Sequence, residues 1–588
     1  MKRVSMHMNK TTRFALFGTL LAAALSAAPA ASPSGDRAAD VSDPLLDSMQ
    51  AELQRASVSL SKADPPAYFL SYSAYDGDSI TIAASYGSLL TSFSNRLRRA
   101  GVIVRVGTPA LDNTHGQNRR SAITQSTLPL EDDRDALSRS FWWLTNRGYR
   151  SSAPAYLKVK TDTAVRSEEE DRSADFSAEP PQVRIDARTP TPGLNIEEWQ
   201  TRLRRDSAWF REHPEVYESQ VVLQVQTSGF RFTSTEGSRL AEPSRLARLV
   251  VEATTRAADG MELIRVETYQ APTVADLPSD AALHATIEKM AADLKALRAA
   301  PVAEPFAGPA MLSGRAAAVF FHEVVGHRLE GHRQRDEDEG QTFTKKVGQQ
   351  VMPSFLSIVD DPNVPVMAGE KLSGTYSFDD EGQPAEHVEL VQNGVLRSFL
   401  MSRMPIKGFS LSNGHGRAQP GLMPTARQGN LIVTSTNAVK ESDLRQKLID
   451  EAKKQGKPYG LYFEDVQGGF TLTQRGMPQA FQVLPVIVWR VYTDGRPDEL
   501  VRGVDIVGTP LAALNRILVT GDAMHVFNGI CGAESGSVPV SASAPAMVFS
   551  EIEVQKREHS HERPPLLPPP GHEGLPTATP ARTPGGSR

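Results

Sequence analysis

The sequence predicts an α+β fold in two parts, an N-terminal α/β domain of helices and hairpins at 42–300 and a strand-rich, barrel-like C-terminal domain at 301–556. Before residue 300, segments with helical hydrophobic spacing alternate with strand-like runs, as is typical of α+β domains. A Pro-containing stretch at 301–309 marks the boundary. Beyond it, short apolar runs separated by Gly turns indicate many strands and few helices.

Each element of the first domain follows from its local pattern. The predicted elements are a helix at 43–62, a hairpin at 67–87 that turns at Asp76-Gly77-Asp78, a strand at 101–107, a helix at 196–213, a hairpin at 219–237, and helices at 243–258 and 280–299. Residues 163–194 are acidic and Pro-rich, which predicts a surface loop within this domain.

The second domain contains two strong hairpin patterns. Asn393-Gly394 and Asp494-Gly495 each lie between apolar runs, and such dipeptides favour tight turns between antiparallel strands. Residues 557–588 are rich in proline and too poor in apolar residues to bury a core. We therefore expect a disordered, Pro-rich tail after the second domain.

The first 30 residues have the pattern of an export signal. Basic residues precede the apolar run FALFGTLLAAALSAA, and small-x-small cleavage sites lie at 26–30. The run is too short and alanine-rich for a good membrane anchor, and no later stretch is long and apolar enough to cross a bilayer. We therefore expect a periplasmic or secreted protein without a stable membrane span. The net charge of −5 argues against a broad nucleic-acid-binding surface.

The most informative motif is FFHEVVGHRLEGH, at 320–332. The usual zinc helix reads H-E-x-x-H, with its histidines four residues apart, whereas His322 and His327 are five apart. Ser313 can cap the helix, and the first half of the helix is apolar on nearly all sides and should be buried. A histidine and a glutamate at the end of a buried helix need partners. The motif therefore suggests a metal-ligand site.

The spacing of the two histidines has a geometric consequence. On a regular helix, residues five apart lie about 140° apart and could not face one ion. A π-bulge would bring His322 and His327 to nearly the same side, and Gly326 is a place where the helix can loosen or end. The sequence thus predicts a local helix defect. Glu323 would then be the general base toward a water on the metal.

A catalytic zinc site usually has three protein ligands. His332 is one candidate for the third, but it misses the register of H-E-x-x-H-x-x-G-x-x-H at two places. Cys531 is preferred because it is the only cysteine, lies in the Gly-flanked segment NGICGAESGSVPV, and cannot form an intramolecular disulfide. A tetrahedral set that contains cysteine favours zinc. The alternative is a chance His-Glu-His pattern that binds no metal.

These segments resemble the TldD/PmbA metalloprotease family, and specifically its TldD-like subunit, which bears the metal motif. The resemblance covers about 300–556 and is carried by GPAMLSGRAAAVFFHEVVGHRLEG, DDEGQPAEHVELVQNGVLRSFL, NGHGRAQPGLMPTARQGN, GVDIVGTPLAALNRILVTGDA and NGICGAESGSVPVSASAPAMVFSEIEV. It implies that His322, His327 and Cys531 bind zinc and that Glu323 is the catalytic glutamate. His332 lies at a position that is usually not histidine in the family.

The resemblance also implies a substrate and a partner. It implies hydrolysis of small peptides or unfolded protein segments, held extended in a cleft or tunnel at a dimer interface. The dimer would be a homodimer or a heterodimer with a PmbA/TldE-like homologue that lacks the metal motif. Arg417 and Arg427 are candidates for substrate binding. Two alternatives remain: a non-catalytic peptide-binding or assembly subunit of such a complex, and a hydrolase of non-peptide amides.

Overall fold

The computed structural model describes residues 43–165, 171–186, 193–477, 480–558, 565 and 567–572. The predicted export signal at 1–30 and most of the predicted tail at 557–588 lie outside the described residues. Within the described part of the chain, no helix has the length and apolar character needed to cross a bilayer. The fold is mixed α/β with a strand-rich C-terminal sheet, which confirms the predicted fold class.

Within its described residues, the N-terminal half contains an eight-stranded sheet and four α-helices. Its elements are α1 Pro44–Leu60, β1 Ala67–Ser85, β2 Ser88–Thr108, β3 Leu111–Asp112, β4 Ile123–Thr127, α2 Arg134–Val165, β5 Val183–Ile185, α3 Ile196–Ala208, β6 Glu218–Ser234, β7 Arg239–Arg256, β8 Glu262–Ala271 and α4 Asp280–Ala299. The strand order is β3-β2-β1-β6-β7-β5, with β4 also paired to β2 and β8 to β7.

The helices cover one face of this sheet. Alternate residues of β1, such as Tyr72 and Ile82, point to that face and are fully buried, because successive side chains of a strand point to opposite sides. Near Tyr72 the core includes α1 and α2, and near Ile82 it includes α3 and α4. The other face, which carries Thr81 and Ala83, is free of these helices and lines a cavity.

Over the part that the structure describes, the C-terminal half contains a twelve-stranded sheet, two two-stranded sheets and four α-helices. Its elements are β9 Phe306–Leu312, α5 Gly314–Val324, α6 His332–Arg335, β10 Leu356–Asp360, β11 Val366–Met367, β12 Glu370–Lys371, β13 Val388–Gln392, β14 Val395–Leu396, β15 Gly416–Arg417, β16 Thr425–Ala426, β17 Asn430–Ser435, β18 Ala438–Val439, α7 Leu444–Lys454, β19 Tyr459–Thr471, β20 Phe481–Tyr492, β21 Glu499–Val501, β22 Val504–Gly508, α8 Pro510–Leu514, β23 Ile517–Ala533 and β24 Gly536–Lys556.

Five strands of the large sheet close into a ring. β9 pairs with β19, β19 with β20, β20 with β22, β22 with β24, and β24 pairs back with β9. Helix α5 packs against this ring through Phe320, whose ring lies edge-on to Phe481 and Phe549 at 5.3 Å. Burial of these aromatic side chains, about 1.5–3 kcal/mol each, fixes the helix whose end carries the two motif histidines.

Two predictions about the N-terminal sheet are wrong. The hairpin does not turn at Asp76-Gly77-Asp78, because β1 runs through these residues and pairs with both β2 and β6. The turn lies at Tyr86-Gly87, where both residues have a positive φ. Residues 243–258 are not a helix but mostly belong to β7, whose pairing with β6 and β8 outweighs their helical hydrophobic spacing.

Other element predictions have mixed outcomes. The Asn393-Gly394 turn and the helix at 280–299 are present as predicted. The sequence reading missed α2, which contains Pro154 and has a weak amphipathic pattern. The described part of the predicted surface loop is not wholly exposed, since Asp175 and Phe176 are buried.

Candidate metal centre

The two motif histidines meet because α5 ends between them. The Oγ of Ser313 accepts a hydrogen bond from the backbone N–H of Ala316 at the start of the helix. The helix ends at Val324, and a 3-10 turn occupies Gly326–Leu329. The predicted defect is therefore a helix end followed by a tighter turn rather than a π-bulge. It brings the rings of His322 and His327 to a centroid distance of 4.8 Å.

Gly326 has a packing role at this helix end. A Cβ atom on Gly326 would lie only 1.9 Å from Oε1 of Gln428. Gln428 is buried, and its Nε2 donates a hydrogen bond to the carbonyl oxygen of His322 at 3.4 Å. Glycine is therefore needed here for the close approach of Gln428, which helps to hold the backbone of the first histidine.

Cys531 comes to the histidines from the long hairpin of β23 and β24. It pairs with Val538 across the hairpin and is buried. Its Sγ lies 3.3 Å from Nε2 of His327, and one potential ligand atom from each of His322, His327 and Cys531 lies within 4.8 Å of the others. The structure thus brings together the three residues that the sequence reading named as metal ligands, although Cys531 is more than two hundred positions away.

The electrostatics of this cluster favour a thiolate. Burial opposes ionisation of the Cys531 thiol, but His327, Arg427 and His322 outweigh it and hold its pKa well below the usual value. For His327, burial opposes protonation, but Cys531 and Glu330 raise its pKa well above the usual value. A thiolate is the form of cysteine that binds metal ions.

Glu323 lies beside the cluster with one free oxygen. It is buried, and its Oε2 lies 4.0 Å from Nε2 of His327. Among the described residues, this Oε2 has no hydrogen-bond partner. Burial raises the pKa of Glu323 above that of an ordinary glutamate, and the neighbouring Cys531 adds to this effect. Because a buried carboxylate oxygen without a partner is costly, it points to a group that the site is built to receive.

Glu330 supports the second histidine. Its Oε1 lies 3.2 Å from Nδ1 of His327, and its Oε2 accepts a hydrogen bond from Nε of Arg333 at 2.8 Å. Burial opposes its ionisation, but His327 and Arg333 lower the pKa of Glu330 to about 2. A carboxylate on Nδ1 leaves Nε2 as the ligand atom, as is common around metal-binding histidines. The sequence reading missed Glu330, although its spacing of three from His327 is what such a contact on a helical turn requires.

Arg417 and Arg427 do not reach the cavity beside the cluster. Nη1 of Arg417 donates to the carbonyl oxygen of Gln428 at 2.6 Å. Nη2 of Arg427 donates to the carbonyl oxygen of Cys531 at 2.8 Å. Both arginines are buried, and neither is among the described residues that line the cavity. Their placement argues against the expected contact with substrate and assigns Arg427 to holding the Cys531 backbone.

His332 belongs to a neighbouring polar group. Its Nε2 is bound to the carboxylate of Glu534, which also accepts a hydrogen bond from Nη2 of Arg333 at 2.9 Å. Arg333 also binds Glu330 and Glu339, so this one cation is shared among three carboxylates. His332 is therefore engaged elsewhere and does not complete the cluster of His327 and Cys531.

The cluster opens into a cavity of about 880 Å³ between the two halves of the chain. One wall is the uncovered face of the N-terminal sheet, including Val222 and Val250. The C-terminal half contributes His322, Glu323 and Cys531 to the lining. This volume lies within the range of natural ligand pockets, about 300–1,000 Å³, so the cluster faces a space that can hold a short extended chain.

The three donor residues fit a zinc ion. Ligands of a tetrahedral zinc at about 2.0–2.3 Å lie roughly 3.3–3.7 Å from one another, and Sγ of Cys531 and Nε2 of His327 are 3.3 Å apart. Two imidazoles and a thiolate are a suitable set, because zinc accepts nitrogen and sulfur ligands. Three side chains with metal-binding atoms, beside a buried carboxylate oxygen that has no hydrogen bond among the described residues, define the class: a candidate hydrolytic metal centre.

The comparisons with known proteins agree with this class. Residues 307–556 match the PmbA/TldA metallopeptidase C-terminal domain. Residues 307–556 therefore carry the C-terminal domain of the TldD/PmbA metalloprotease family. The match includes α5 and Cys531 and leaves the N-terminal sheet outside it.

Individual relatives cover part of the chain. The Metalloprotease TldD homolog of Haemophilus influenzae is 28% identical over 250 residues, which are 42% of this chain and 48% of that protein. The Zinc metalloprotease TldD homolog of Saccharolobus solfataricus is 25% identical over 247 residues, 42% of this chain and 51% of that protein. The chain thus spans about half the length of these curated relatives.

The fold extends further than the sequence similarity. The crystal structure of TldE from Thermococcus kodakarensis matches with a TM-score of 0.55 at 12% identity, over 86% of this chain and 100% of that one. Both halves of the chain therefore share their architecture with this structure.

Proposed function

We propose that the chain is an exported zinc peptidase that hydrolyses peptides or unfolded protein segments. The observation that carries the proposal is the buried, unpartnered Oε2 of Glu323 beside the convergent side chains of His322, His327 and Cys531. A protein that only binds peptides has no need for a buried carboxylate oxygen without a hydrogen bond beside three metal-binding side chains. The name of the Saccharolobus relative supports zinc as the metal.

In this proposal the two histidines and the cysteine hold the metal. Glu330 keeps the His327 ring oriented through Nδ1, and Arg427 holds the carbonyl of Cys531. When bound, zinc supplies Lewis acidity, which polarises a peptide carbonyl and makes water easier to deprotonate. The donor set carries one negative charge, so the site keeps net positive charge for the oxyanion that develops during amide hydrolysis.

Glu323 acts as the general base. Its Oε2 takes a proton from the attacking water and returns it to the leaving amine. Its pKa is raised by burial, which moves the carboxyl toward the range in which it can both accept and donate a proton near neutral pH. The carboxylate must also be ionised at the start of the cycle, and the positive charge of the site favours that form.

The cavity supports extended peptides as substrates. A folded domain cannot enter a space of about 880 Å³, whereas an extended segment can lie between the N-terminal sheet and the metal centre. Hydrogen bonds to the main chain of a peptide would tolerate many side chains. A homodimer or a partnership with a TldE-like homologue is part of the proposal, and the shared architecture with TldE supports it.

Export is also part of the proposal. The basic and apolar pattern at 1–30 with its small-x-small sites supports a cleaved signal and a periplasmic or secreted mature protein. The absence of a second cysteine is compatible with an oxidising compartment, because Cys531 has no thiol partner within the chain.

The decisive experiment replaces Glu323 with glutamine. We expect E323Q to lower kcat/KM for an unfolded peptide by about 100- to 10,000-fold, because general-base catalysis typically contributes that factor, while the zinc content stays near that of the wild type. The measurement is peptide cleavage with parallel metal analysis. The matched control is Glu553→Gln, an exposed residue of β24 remote from the motif.

Three outcomes separate the alternatives. Turnover of E323Q close to that of the wild type would remove Glu323 from the reaction. Peptide binding without cleavage by the zinc-loaded wild type would favour the non-catalytic binding or assembly subunit. Cleavage of simple amides but not of peptides would favour the third alternative, a hydrolase of non-peptide amides.

A further inference from the structure

The cavity contains a cation that the proposed chemistry does not use. Among the described residues, the arginines that line the cavity are Arg248, Arg265, Arg315 and Arg333. Arg265 is paired with Asp465 and Glu267, Arg333 with Glu330 and Glu534, and Arg315 lies 3.4 Å from Asp465. Arg248 has no such ion pair with any described residue, which sets it apart from the other three.

The surroundings of Arg248 explain its isolation. It lies on β7, and its neighbours across the strands are Gln224 on β6 and Gln270 on β8, which are both neutral. The next acidic residue on this face of β7 is Glu252, about 13 Å along the strand at 3.3 Å per residue. Glu252 accepts a hydrogen bond from Gln220 instead.

The guanidinium is also partly withdrawn from water. Its Nε is buried and lacks a hydrogen-bond partner among the described residues. Burial lowers the pKa of Arg248, and no neighbouring carboxylate counteracts this effect. A half-buried cation without a counter-charge is unfavourable, so the position favours a ligand that supplies a negative charge.

We propose that Arg248 is a specificity-determining residue that binds a carboxylate of the peptide in the cavity. The inference rests on the proposed peptidase function and names the chemical class of its substrate. Arg248 lies on the N-terminal sheet, and it lines the same cavity as Glu323 and the candidate metal ligands of the C-terminal half. A peptide that spans the cavity presents its scissile bond to Glu323 and a negative group to Arg248.

The carboxylate can come from two sources, the C-terminus of the peptide or an acidic side chain. A guanidinium binds both in the same two-point manner, through parallel N–H donors. A C-terminal carboxylate would make the enzyme cleave near chain ends, whereas an acidic side chain would select internal sites. The experiment must therefore present the two sources separately.

The test measures binding rather than turnover, so that it does not depend on catalysis. The full-length E323Q protein, loaded with zinc, is titrated against three fluorescent forms of one short unstructured peptide of Ala, Ser and Gly. The forms are the free acid, the C-terminal amide, and the amide with one internal Glu. Dissociation constants are read by fluorescence anisotropy at low salt.

We expect the free acid or the Glu-containing amide to bind about 10- to 100-fold more tightly than the plain amide, as hydrogen bonds to a charged group allow. In the background of E323Q, R248Q should remove this preference and leave the affinity for the plain amide unchanged. R248K should keep part of the preference, because the charge remains without the two-point geometry. The matched control is R245Q, an exposed residue three positions earlier on the opposite face of β7.

Equal binding of all three peptides to E323Q would overturn the proposal, and this outcome does not require the R248Q protein to fold. A preference that survives in folded R248Q would overturn it as well. If the wild type cleaves no peptide but the preference is present and depends on Arg248, then the peptidase function fails and the carboxylate site stands.

Discussion

At the scale of single residues, charged side chains outside the candidate ligand set hold two of its members, Cys531 and His327, in place. Arg427 donates to the backbone of Cys531, and Glu330 binds Nδ1 of His327. Arg333 binds Glu330 in turn. His327 and Cys531 are thus each held by a charged group outside the cluster, and such supporting groups commonly contribute 10- to 100-fold to metal affinity.

Substitution of Glu330 tests whether this residue supports metal binding through His327. We expect E330Q to weaken zinc binding about 10- to 100-fold, because the neutral amide cannot stabilise charge on the His327 ring. The pKa of Glu330 is about 2, so the carboxylate is ionised at neutral pH, and the deficit is measured at one pH near 7 because Glu330 also raises the pKa of His327. Competition with a chromophoric chelator measures it, and Glu389→Gln, exposed on β13, is the control. An affinity equal to that of the wild type would show that Glu330 is only a packing residue.

At the scale of elements, the end of α5 decides the geometry of the site. The helix stops at Val324, and the following turn begins at Gly326, so that two histidines five apart face one another. The break depends on the close approach of Gln428 to Gly326. A regular helix through this region would place the two imidazoles about 140° apart.

We expect Gly326→Ala to destabilise the protein by about 1–3 kcal/mol, the usual cost of overpacking a well-packed site, because its Cβ would displace the buried side chain of Gln428. Zinc affinity should fall at the same time, since Gln428 also contacts the His322 backbone. Chemical denaturation and metal competition measure the two effects. The control is Gly193→Ala, where a Cβ meets no atom within 4 Å. A G326A protein as stable as the wild type, with full zinc affinity, would contradict this role.

The roles of the rare residue types in the site can be predicted from the sequence more readily than the roles of the common types. A single cysteine and an unusual His-Glu-His spacing stand out in 588 residues, whereas Glu330 and Arg427 are common types whose roles depend on tertiary contacts. The same limit explains the error at β7, where the local pattern predicts a helix and pairing with β6 and β8 produces a strand. Hairpin turns such as Asn393-Gly394 are predictable because the backbone conformation is local.

At the scale of the whole molecule, the cavity joins two halves with different roles. The C-terminal half, which matches the metallopeptidase domain, supplies the metal donors and Glu323. The uncovered face of the N-terminal sheet supplies another part of the cavity lining, including Arg248. In the proposed enzyme, chemistry therefore resides in the half that carries the matched metallopeptidase domain, and the selection of substrate involves the sheet of the other half.

The most direct test of this account is X-ray absorption spectroscopy at the zinc edge of the full-length, zinc-loaded protein. We expect one sulfur ligand at about 2.3 Å and two imidazole nitrogens at about 2.0 Å, with the sulfur contribution lost in Cys531→Ser. A first shell made only of nitrogen and oxygen in the wild type would contradict the central claim that His322, His327 and Cys531 hold one metal ion together.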